Sequence, residues 1–357
     1  MRIDQFVPAF HRGDAIGDTA SHLKEFFSSQ GYSSEIYCLT RDEGLEKDSR
    51  LFSEFEESGP SDITILHFAL PSPLTQAFSR TAGKKVLLYH NLTPPEFFEG
   101  FSPEMPRIVQ QGREELRSLI PCANLALADS EYNRQELVQE GFKRIEVFPL
   151  FVDFKKYEKP MNRFVYDLFK DGRINILFIG RIAPNKKIED LIKVAFYYKK
   201  YISPLVRLII VGKTDSFPRY YHSLVRLADE FFLQPEEICF TGHVSDEEMF
   251  AYYRASDLFL SLSEHEGFGL PFIESMVFNL PVVAYDCTAV ASTLGGSGVL
   301  IKDKTVELVG ELIRIVAEDK KLREWIIKKQ QKRLRDFQRL GREALLQSMI
   351  EELREDR

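Results

Sequence analysis

Two glutamates and three cations in the sequence have types and spacings that suit an anion bearing hydroxyl groups. Glu266 and Glu274 flank the residues GFGLPFI, which include two glycines, a proline and four apolar side chains. A carboxylate buried without a partner costs several kcal/mol, so carboxylates beside such an insert need partners. Arg181, Lys186 and Lys187 follow another apolar run. A guanidinium fork and ammonium groups on one loop suit a diphosphate.

The loop that carries the glutamates is predicted to connect a strand to a helix. The run DLFLSLS predicts a strand, so EHEGFG is the turn at its carboxyl end and Pro271 suits the first position of the next helix. Gly267 and Gly269 let the backbone approach a ligand closely, and unpaired N–H groups at a helix start attract an anion. Glu274 then falls in the first helical turn, where the helix dipole favours its ionised form.

This arrangement suits a sugar nucleotide, because the glutamates can accept bonds from hydroxyls while the amides between them face a phosphate. Desolvated charge-assisted bonds of this kind contribute roughly 1.5–3 kcal/mol each. The alternative is a capped helix with two solvated glutamates, together with a basic surface loop. Surface ion pairs in such a loop would contribute only about 0–1 kcal/mol.

The elements that must position these residues are predicted from short apolar runs that alternate with helical patterns. The first set of runs is RIDQFVP, SEIYCL, DITILHFAL, KKVLLYH, ANLALAD and IEVFPL, and the second is INILFIG, VRLIIVG, EICFTG, DLFLSLS, PVVAYD and GVLI. Apolar strands alternating with helices predict parallel sheets covered on both faces. We therefore expect an α/β protein with two tandem Rossmann-like, doubly wound domains, with a ligand at the carboxyl ends of the strands. The Ser245 to Glu248 spacing predicts a capping box, and Phe151 to Gly172 is expected to be a connection.

The composition indicates a soluble globular protein of about two domains. The chain has 357 residues, of which 44% are hydrophobic and 28% charged. Its net charge of −7 argues against a general binder of nucleic acid or anionic membranes. We find neither a signal peptide nor an apolar run of the roughly 18 residues that a membrane span needs. The scattered cysteines suit free thiols in a reducing compartment, so we expect a cytoplasmic protein; they are Cys38, Cys122, Cys239 and Cys287.

The segment from Lys320 to Arg342 differs in character, with ten Lys or Arg against two acidic residues. Helical spacing predicts one apolar stripe made of Leu322, Trp325, Ile326 and Leu334. A basic helix could bind a membrane or nucleic acid. We favour the alternative that its charges form the solvated face of a packed terminal helix.

Four segments of the second half together resemble family 4 of the nucleotide-sugar glycosyltransferases, which have the GT-B fold. They are GRIAPNKKIEDLI, LIIVGK, CFTGHVSDEEMFAYYRASDLFLSLSEHEGFGLPFIESM and LPVVAYD. The resemblance is specific from about Ile174 to Ile301 and weaker earlier, where GDAIGD, YHNLTPPEFF and ADSEYNRQEL match family-like segments. It implies transfer of a sugar, with retention, from a nucleoside-diphosphate sugar to a glycan or lipid-linked acceptor, in a cleft between the domains. It implies an acceptor-side domain at 1–158, a donor domain at 159–335 and a terminal helix at 336–357 that packs back on the first domain.

The resemblance also implies roles for individual residues. Arg181 and Lys186 would neutralise the departing diphosphate. Glu274 would hold the ribose hydroxyls. Glu266 would face the donor sugar, hold a hydroxyl and counter positive charge at the anomeric carbon. No metal or other cofactor is expected, and the sequence contains no D-x-D, the motif of a metal-held diphosphate in the other glycosyltransferase fold.

Further contacts are implied with less support from the motifs. Phe268, Gly269 and Leu270 would offer backbone amides to the sugar or phosphate. Gly17, in the loop after the first strand, would approach the phosphates. His90 would contact the donor sugar, although a strand-end histidine bonded to backbone is the alternative.

The chain departs from the family pattern at two points. Lys187 stands where the family commonly has glycine, so either Lys186 or Lys187 could bind the phosphate. The first loop, GDAIGD, lacks the paired glycine that would support the role of Gly17.

Several polar residues could line the cleft without an assigned role. His243 and His265 are possible neighbours of the pocket. Asp129, Ser130 and Asn133 could also face it, but capping of the helix EYNRQELVQE explains Ser130 as well.

Three functions from different classes stay open. The first is the sugar transferase. The second is a GT-B relative with other chemistry, such as an epimerase or a phosphorylase, but no lysine has the context of a buried cofactor lysine. The third is a catalytically silent nucleotide-sugar binding module, which would be expected to lose Glu266 or the pair of Arg181 and Lys186. In the transferase, a leaving phosphate oxygen would take the acceptor proton, which explains the lack of a Ser–His–Asp arrangement.

Overall fold

The structure, a computed structural model, describes residues 1–11 and 13–355 and divides into two compact units. Unit 1 comprises residues 1–95, 104–152 and the chain from residue 340 onward. Unit 2 comprises residues 96–103 and 153–339. The chain thus changes unit at 152/153 and 339/340, where the sequence predicted 158/159 and 335/336. The short segment 96–103, expected in the first domain, packs in unit 2.

The described part of unit 1 has one seven-stranded sheet, and that of unit 2 has one six-stranded sheet. The strands of unit 1 are β1 Ile3–Phe10, β2 Ile36–Arg41, β3 Arg50–Leu51, β4 Ile63–Phe68, β5 Lys84–Tyr89, β6 Leu125–Ala128 and β7 Ile145–Val147. Those of unit 2 are β8 Ile174–Ile179, β9 Val206–Val211, β10 Ile238–Gly242, β11 Leu258–Ser261, β12 Val282–Tyr285 and β13 Val299–Ile301. Each apolar run that predicted a strand therefore forms one, and β3 is an additional short strand.

Both sheets are parallel and doubly wound. The strand order is β3-β2-β1-β4-β5-β6-β7 in unit 1 and β10-β9-β8-β11-β12-β13 in unit 2. In each unit the first strand lies inside the sheet, and the chain winds outward to both edges. All six residues of β4 and of β9 are buried, as expected for parallel strands covered on both faces.

The helices lie between these strands and after the last one. They are α1 Ala15–Ser29, α2 Pro73–Arg80, α3 Met105–Ser118, α4 Glu131–Glu140, α5 Arg163–Leu168, α6 Ile188–Tyr197, α7 Pro218–Glu230, α8 Asp246–Ala255, α9 Leu270–Val277, α10 Val290–Leu294, α11 Val306–Glu318, α12 Lys320–Gln338 and α13 Arg342–Glu355. The predicted capping box of α8 is present, with Glu248 N–H donating to Ser245 Oγ and Ser245 N–H to Glu248 Oε2. The expected connection from Phe151 to Gly172 contains α5 and a 3-10 turn at Phe154–Glu158.

Helix α13 contributes to the core of unit 1. Its Leu346, Ile350 and Leu353 are buried in one apolar cluster with Ile65 of β4 and Val86 of β5. Burial of such side chains contributes about 1.5–3 kcal/mol each, so this helix is an integral part of unit 1.

Helix α12 packs in unit 2 through a different set of residues than the predicted stripe. Ile326 and Leu334 are buried as predicted, but Trp325 is 54% exposed, so its place in the stripe was wrong. Gln330 takes an inward position instead and is fully buried. Its Nε2 donates to Leu280 O at 2.8 Å, and its Oε1 accepts from Val282 N–H at 2.9 Å. The amide thus binds α12 to the backbone at the start of β12.

Replacement of Gln330 by leucine should destabilise the protein, because Leu280 O and Val282 N–H would be left buried without a partner. Each such group costs about 1–3 kcal/mol. Gln338→Leu, at the exposed end of the same helix, is the matched control and should change stability by less than about 0.5 kcal/mol. Urea denaturation of the two variants measures the difference, and equal stabilities would contradict this role of Gln330.

Candidate functional site

The candidate site of unit 2 lies where three neighbouring strands end. Strands β8, β11 and β12 are adjacent in the parallel sheet, so the loops that follow them emerge side by side at its carboxyl edge. These loops comprise residues 180–187, 262–269 and 286–289. The first loop carries Arg181, Lys186 and Lys187, and the second carries Glu266, whereas Glu274 lies in α9, the helix that follows.

Asn185 joins the first two loops through its backbone and side chain. Glu264 N–H donates to Asn185 O at 2.9 Å, and Asn185 Nδ2 donates to His265 O at 3.0 Å. The asparagine side chain is buried, so neither bond competes freely with water. The backbone around the candidate site is therefore held by bonds within the protein.

Lys186 and Glu266 form a direct ion pair across the two loops. Lys186 Nζ lies 2.6 Å from Glu266 Oε2, and the two side chains are 18% and 11% exposed. The sequence placed the lysine on a phosphate and the glutamate on a sugar, but it did not predict that they bind each other. A phosphate arriving at Lys186 therefore competes with the carboxylate of Glu266.

Lys187 has a different environment and a strained backbone. Its φ of 51° lies in the left-handed region that favours glycine, which is the residue common here in the family that the sequence resembles. Its Nζ lies 3.3 Å from Glu264 Oε2 and 3.8 Å from Glu189 Oε1. Lys186, and not Lys187, thus contacts Glu266.

Arg181 follows β8 and is exposed. Within the described ranges 1–11 and 13–355, no carboxylate lies within 4 Å of its guanidinium. This unpaired charge on the same loop as Lys186 can therefore bind an anion without losing a protein partner.

Thr288, which the sequence analysis missed, fixes the backbone of Glu266. Glu266 N–H donates to Thr288 Oγ1 at 2.8 Å, and the threonine hydroxyl donates to Glu266 O at 2.8 Å. The neighbouring thiol of Cys287 donates to Ser263 O at 3.0 Å, and burial raises its pKa to about 12. Cys287 is thus a structural thiol here. In the sequence, the feature that could have pointed to Thr288 was its position. The segment CTA follows the run PVVAYD, and that run forms the strand beside the one that precedes the glutamate loop.

Glu274 lies elsewhere than expected. Helix α9 begins at Leu270, with Pro271 as its second residue, so Glu274 falls in the second helical turn and not the first. Its side chain is buried and accepts hydrogen bonds from Tyr157 OH and Tyr253 OH, both at 2.8 Å. Burial, with the negative charge of Glu274 beside it, raises the pKa of Tyr253 well above its usual range, so the phenol stays a donor. Two tyrosines therefore hold the carboxylate in the protein interior.

The backbone before α9 provides open donors. No acceptor for the N–H groups of Phe268 and Gly269 is found among the described residues. Phe268 is held by its carbonyl, which accepts a bond of 2.5 Å from the hydroxyl of Thr293. Gly267 and Leu270, which flank this pair, are half-buried. Open N–H groups at the start of a helix suit an anion.

The segment 96–103, which the sequence analysis did not connect with the site, packs beside it in unit 2. Phe98 stacks on Phe217 with ring centroids 5.2 Å apart, and Phe101 meets Tyr220 edge-on at 5.0 Å. Phe97 lies 6.1 Å from the ring of His265. A cavity of about 300 Å³ is lined by this segment together with Pro184, Lys187 and Glu189. In the sequence, the aromatic residues of PPEFFEGF were the feature that could have pointed to this segment.

His243 does not lie at the candidate site. It is exposed after β10, at the edge of the sheet.

Gly17 and Ser130 of unit 1 have structural contacts within the described residues. Gly17 is the third residue of α1 and not part of the loop before it. A Cβ at this position would lie 3.1 Å from His11 O, so close packing of α1 on the chain after β1 explains the glycine. The alternative role of Ser130 is confirmed, since its Oγ accepts from Asn133 N–H at the start of α4. Asn133 itself is buried and bonded to Asn91.

The side chain of His90 lies in a buried chain of polar side chains. Its Nδ1 is 3.1 Å from Asp129 Oδ2, and its Nε2 is 3.0 Å from His67 Nδ1. His67 Nε2 is in turn 2.9 Å from Gln5 Oε1. Both ring nitrogens of His90 are thus occupied, and the side chain is only 3% exposed. The backbone N–H of His90 donates to Phe68 O at 2.9 Å, and the contact with a donor sugar stays a prediction.

The protonation of this chain follows from its donors and acceptors. Gln5 Nε2 donates to Ala20 O, so Gln5 Oε1 accepts the N–H of His67. Burial, with His90 beside it, lowers the pKa of His67 well below its usual range, so His67 is neutral and its Nδ1 accepts from His90. Burial raises the pKa of Asp129, while His90 opposes that shift. His90 Nε2 is consequently the donor to His67 Nδ1, and Asp129 Oδ2 lies against the other ring nitrogen of His90.

Gly269→Ala should destabilise the candidate site more than Gly296→Ala. Both glycines have a positive φ, which costs another residue about 1–2 kcal/mol. A Cβ at Gly269 would also lie 2.4 Å from the ring of Phe272, whereas one at Gly296 meets no described atom within 4 Å. Thermal unfolding of the two variants compares the costs. Equal losses would show that the contact with Phe272 has no effect.

The buried His67 should make the protein less stable as the pH falls. In the unfolded chain its pKa is about 6.5, and in the folded protein it is lower, so unfolding takes up a proton below about pH 6.5. His67→Gln removes this proton uptake and keeps an acceptor for His90. Between about pH 7.5 and 5.5, wild type should lose stability relative to the variant, by at most about 1.4 kcal/mol per pH unit. Urea denaturation at both pH values tests this, and a constant difference would contradict it.

Comparison with known proteins identifies the part of the chain that carries the site. Residues 162–333 match the family model described as glycosyl transferases group 1. The matched range amounts to just under half of the chain and contains Arg181, Lys186, Glu266 and Glu274.

The chain is also similar to curated proteins over part of their length. It is 26% identical over 230 residues to the GDP-mannose-dependent alpha-mannosyltransferase of Mycobacterium tuberculosis, covering 63% of this chain and 56% of that protein. It is 31% identical over 212 residues to the D-inositol 3-phosphate glycosyltransferase of Mycolicibacterium smegmatis, covering 57% of this chain and 44% of that protein. The matches thus span about half the length of these relatives.

Solved structures resemble the chain over nearly its whole length. The crystal structure of Anabaena Alr3699/HepE in complex with UDP-glucose has a TM-score of 0.74 and 17% identity to this chain, covering 99% of this chain and 98% of that one. Together with the two doubly wound sheets, this likeness shows that the chain has the GT-B fold, as the sequence resemblance implied.

Proposed function

We propose that the chain is a glycosyltransferase that moves a sugar from a nucleoside-diphosphate sugar to an acceptor hydroxyl with retention of anomeric configuration. The observation that carries the proposal is the placement of Arg181 and the pair of Lys186 and Glu266 at the ends of neighbouring strands. The family match of residues 162–333 and the names of the relatives support transfer as the reaction.

The diphosphate is the leaving group, and its negative charge grows as the bond to the sugar breaks. Arg181 supplies a guanidinium without a carboxylate partner among the described residues, and Lys186 supplies an ammonium on the same loop. The open N–H groups of Phe268 and Gly269 add neutral donors. The two amides are held before the reaction, since Thr293 binds the carbonyl of Phe268, so they stabilise the transition state without reorganising. In this proposal the cations and amides counter the charge of the diphosphate, and no metal ion is required.

Glu266 changes partner when the donor binds. A phosphate oxygen replaces its carboxylate at Lys186, and the released glutamate accepts a bond from a sugar hydroxyl and counters positive charge at the anomeric carbon. The bonds to Asn185 and Thr288 hold the backbone during this exchange. Glu274 is buried and bonded to Tyr157 and Tyr253, so its contact with the ribose stays a prediction from the sequence.

Retention follows if the acceptor attacks from the face that the diphosphate leaves. An oxygen of the leaving phosphate then takes the proton of the acceptor hydroxyl. No protein side chain has to act as a base, which fits a loop that presents cations and fixed amides.

The acceptor in this proposal is a glycan or a lipid-linked sugar, in the biosynthesis of a glycan or polysaccharide. The name of one curated relative, the alpha-monoglucosyldiacylglycerol synthase of Streptococcus pneumoniae, indicates a glycolipid product, which supports a lipid-linked acceptor. We propose a cytoplasmic location because Cys38, Cys122, Cys239 and Cys287 are all free thiols. No helix in the described ranges is long and apolar enough to span a membrane.

Arg181→Ala and Glu266→Gln should each lower kcat/KM for transfer by about 100-fold or more, because each removes a group that acts on the developing charges. Transfer of labelled sugar from a panel of nucleoside-diphosphate sugars to acceptor extracts measures the loss, and thermal unfolding verifies the fold. Lys187→Gly is the matched control for Arg181→Ala. It removes one charge from the same loop, suits the left-handed backbone and should retain most of the activity.

Two results would contradict this proposal. One is turnover close to wild type in Arg181→Ala or Glu266→Gln. The other is a shift in unfolding temperature with a nucleoside diphosphate, where about 100 times the Kd adds roughly 2.7 kcal/mol, without transfer to any acceptor. The second result would favour a binding module.

A further inference from the structure

Six residues of α12 and its C-cap form a continuous exposed row, which we call the basic stripe. They recur at intervals of three and four residues, which is the spacing of one face of an α-helix. The basic stripe consists of Lys321, Trp325, Lys328, Lys332, Arg335 and Arg339. At 1.5 Å per residue it is roughly 27 Å long.

The opposite face of α12 fixes the direction in which the basic stripe points. Ile326, Gln330, Leu334 and Phe337 are all buried in unit 2. The two bonds of Gln330 and the bond of Gln331 Nε2 to Met276 O prevent rotation of the helix about its axis. The stripe is therefore held outward as a rigid surface.

The five cations of the basic stripe are exposed. Within the described residues, no carboxylate lies within 4 Å of any of them. On the preceding helix, by contrast, Arg314 is paired with Glu311 at 2.9 Å and with Glu318 at 3.1 Å. The whole chain has a net charge of −7, so the positive charge of this helix is opposite in sign to the net charge of the molecule. Such segregation orients a protein toward an anionic surface.

Trp325 indicates which kind of anionic surface the basic stripe suits. Trp325 is the single tryptophan of the sequence, and it lies 54% exposed within the row of cations. Lys329 Nζ lies 5.4 Å from the centre of its ring. Tryptophan favours the boundary between lipid headgroups and acyl chains, where its ring is partly buried and its N–H stays hydrated. A straight, outward row of cations with one such ring suits a flat bilayer.

We propose that the basic stripe docks unit 2 on an anionic lipid bilayer, with the axis of α12 parallel to the membrane and the Trp325 ring at the level of the headgroups. The lysines and arginines contact lipid phosphates, and no membrane-spanning segment is needed. This docking is independent of the proposed transfer reaction, since it uses none of the residues of the candidate site.

Trp325 makes the test direct, because its emission is the only tryptophan signal of the protein. Vesicles of phosphatidylcholine with about one third phosphatidylglycerol should bind the full chain at least about tenfold more strongly than pure phosphatidylcholine vesicles. Binding should shift the emission to shorter wavelength, and brominated lipid should quench it. Raising the salt from about 0.1 M to 1 M, which shortens the Debye length from about 10 Å to 3 Å, should release the protein.

Charge-reversal variants separate the basic stripe from net charge. Lys328→Glu with Lys332→Glu should abolish sedimentation with the anionic vesicles. Lys159→Glu with Lys302→Glu changes the net charge equally at exposed sites of unit 2 outside the stripe and should retain most of the binding. Equal losses in both double variants would overturn the proposal. Sedimentation without a change in Trp325 emission would also overturn it, as would binding to single-stranded nucleic acid in place of vesicles.

Discussion

The candidate site depends on the attraction between Lys186 and Glu266. Two loops that are 80 residues apart in sequence bring these charges to 2.6 Å, because the strands before them are neighbours in one parallel sheet. Partial burial strengthens the attraction relative to a surface pair, and the bonds of Asn185 and Thr288 keep the backbone in place. The side chains can therefore change partners while the loops keep their shape. An anion entering the site meets one cation that is occupied, Lys186, and one that is vacant, Arg181.

Much of the architecture could be predicted from the sequence because parallel strands covered on both faces are apolar along their whole length. The runs before Arg181 and before Glu266 both form strands, and their carboxyl ends meet as expected. Side-chain contacts between distant segments could not be predicted in the same way. Tyr157 reaches Glu274 across 117 residues from a stretch expected to be a plain connection. Apolar periodicity contains no information about such a bond.

The polar chain of unit 1 shows the same limit. His90 stands at the end of an apolar strand, which suggested either a ligand contact or a backbone bond. Its partner His67 lies in β4, and its partner Asp129 directly follows β6. Strands β4 and β6 are the two neighbours of β5, the strand that precedes His90. Which neighbour a strand-end residue meets depends on register, which the sequence did not reveal. The result is a buried network that requires every member to keep its partner.

The path of the chain has a consequence for how the protein can be divided. Because segment 96–103 belongs to unit 2 and the chain from residue 340 belongs to unit 1, neither unit is one uninterrupted stretch of sequence. A protein fragment ending after residue 152 would lack Leu346, Ile350 and Leu353. The apolar residues of unit 1 that they cover would then be exposed to water. The complementary fragment would lack Phe98 and Phe101. During synthesis, unit 1 can complete its core only when α13 has left the ribosome.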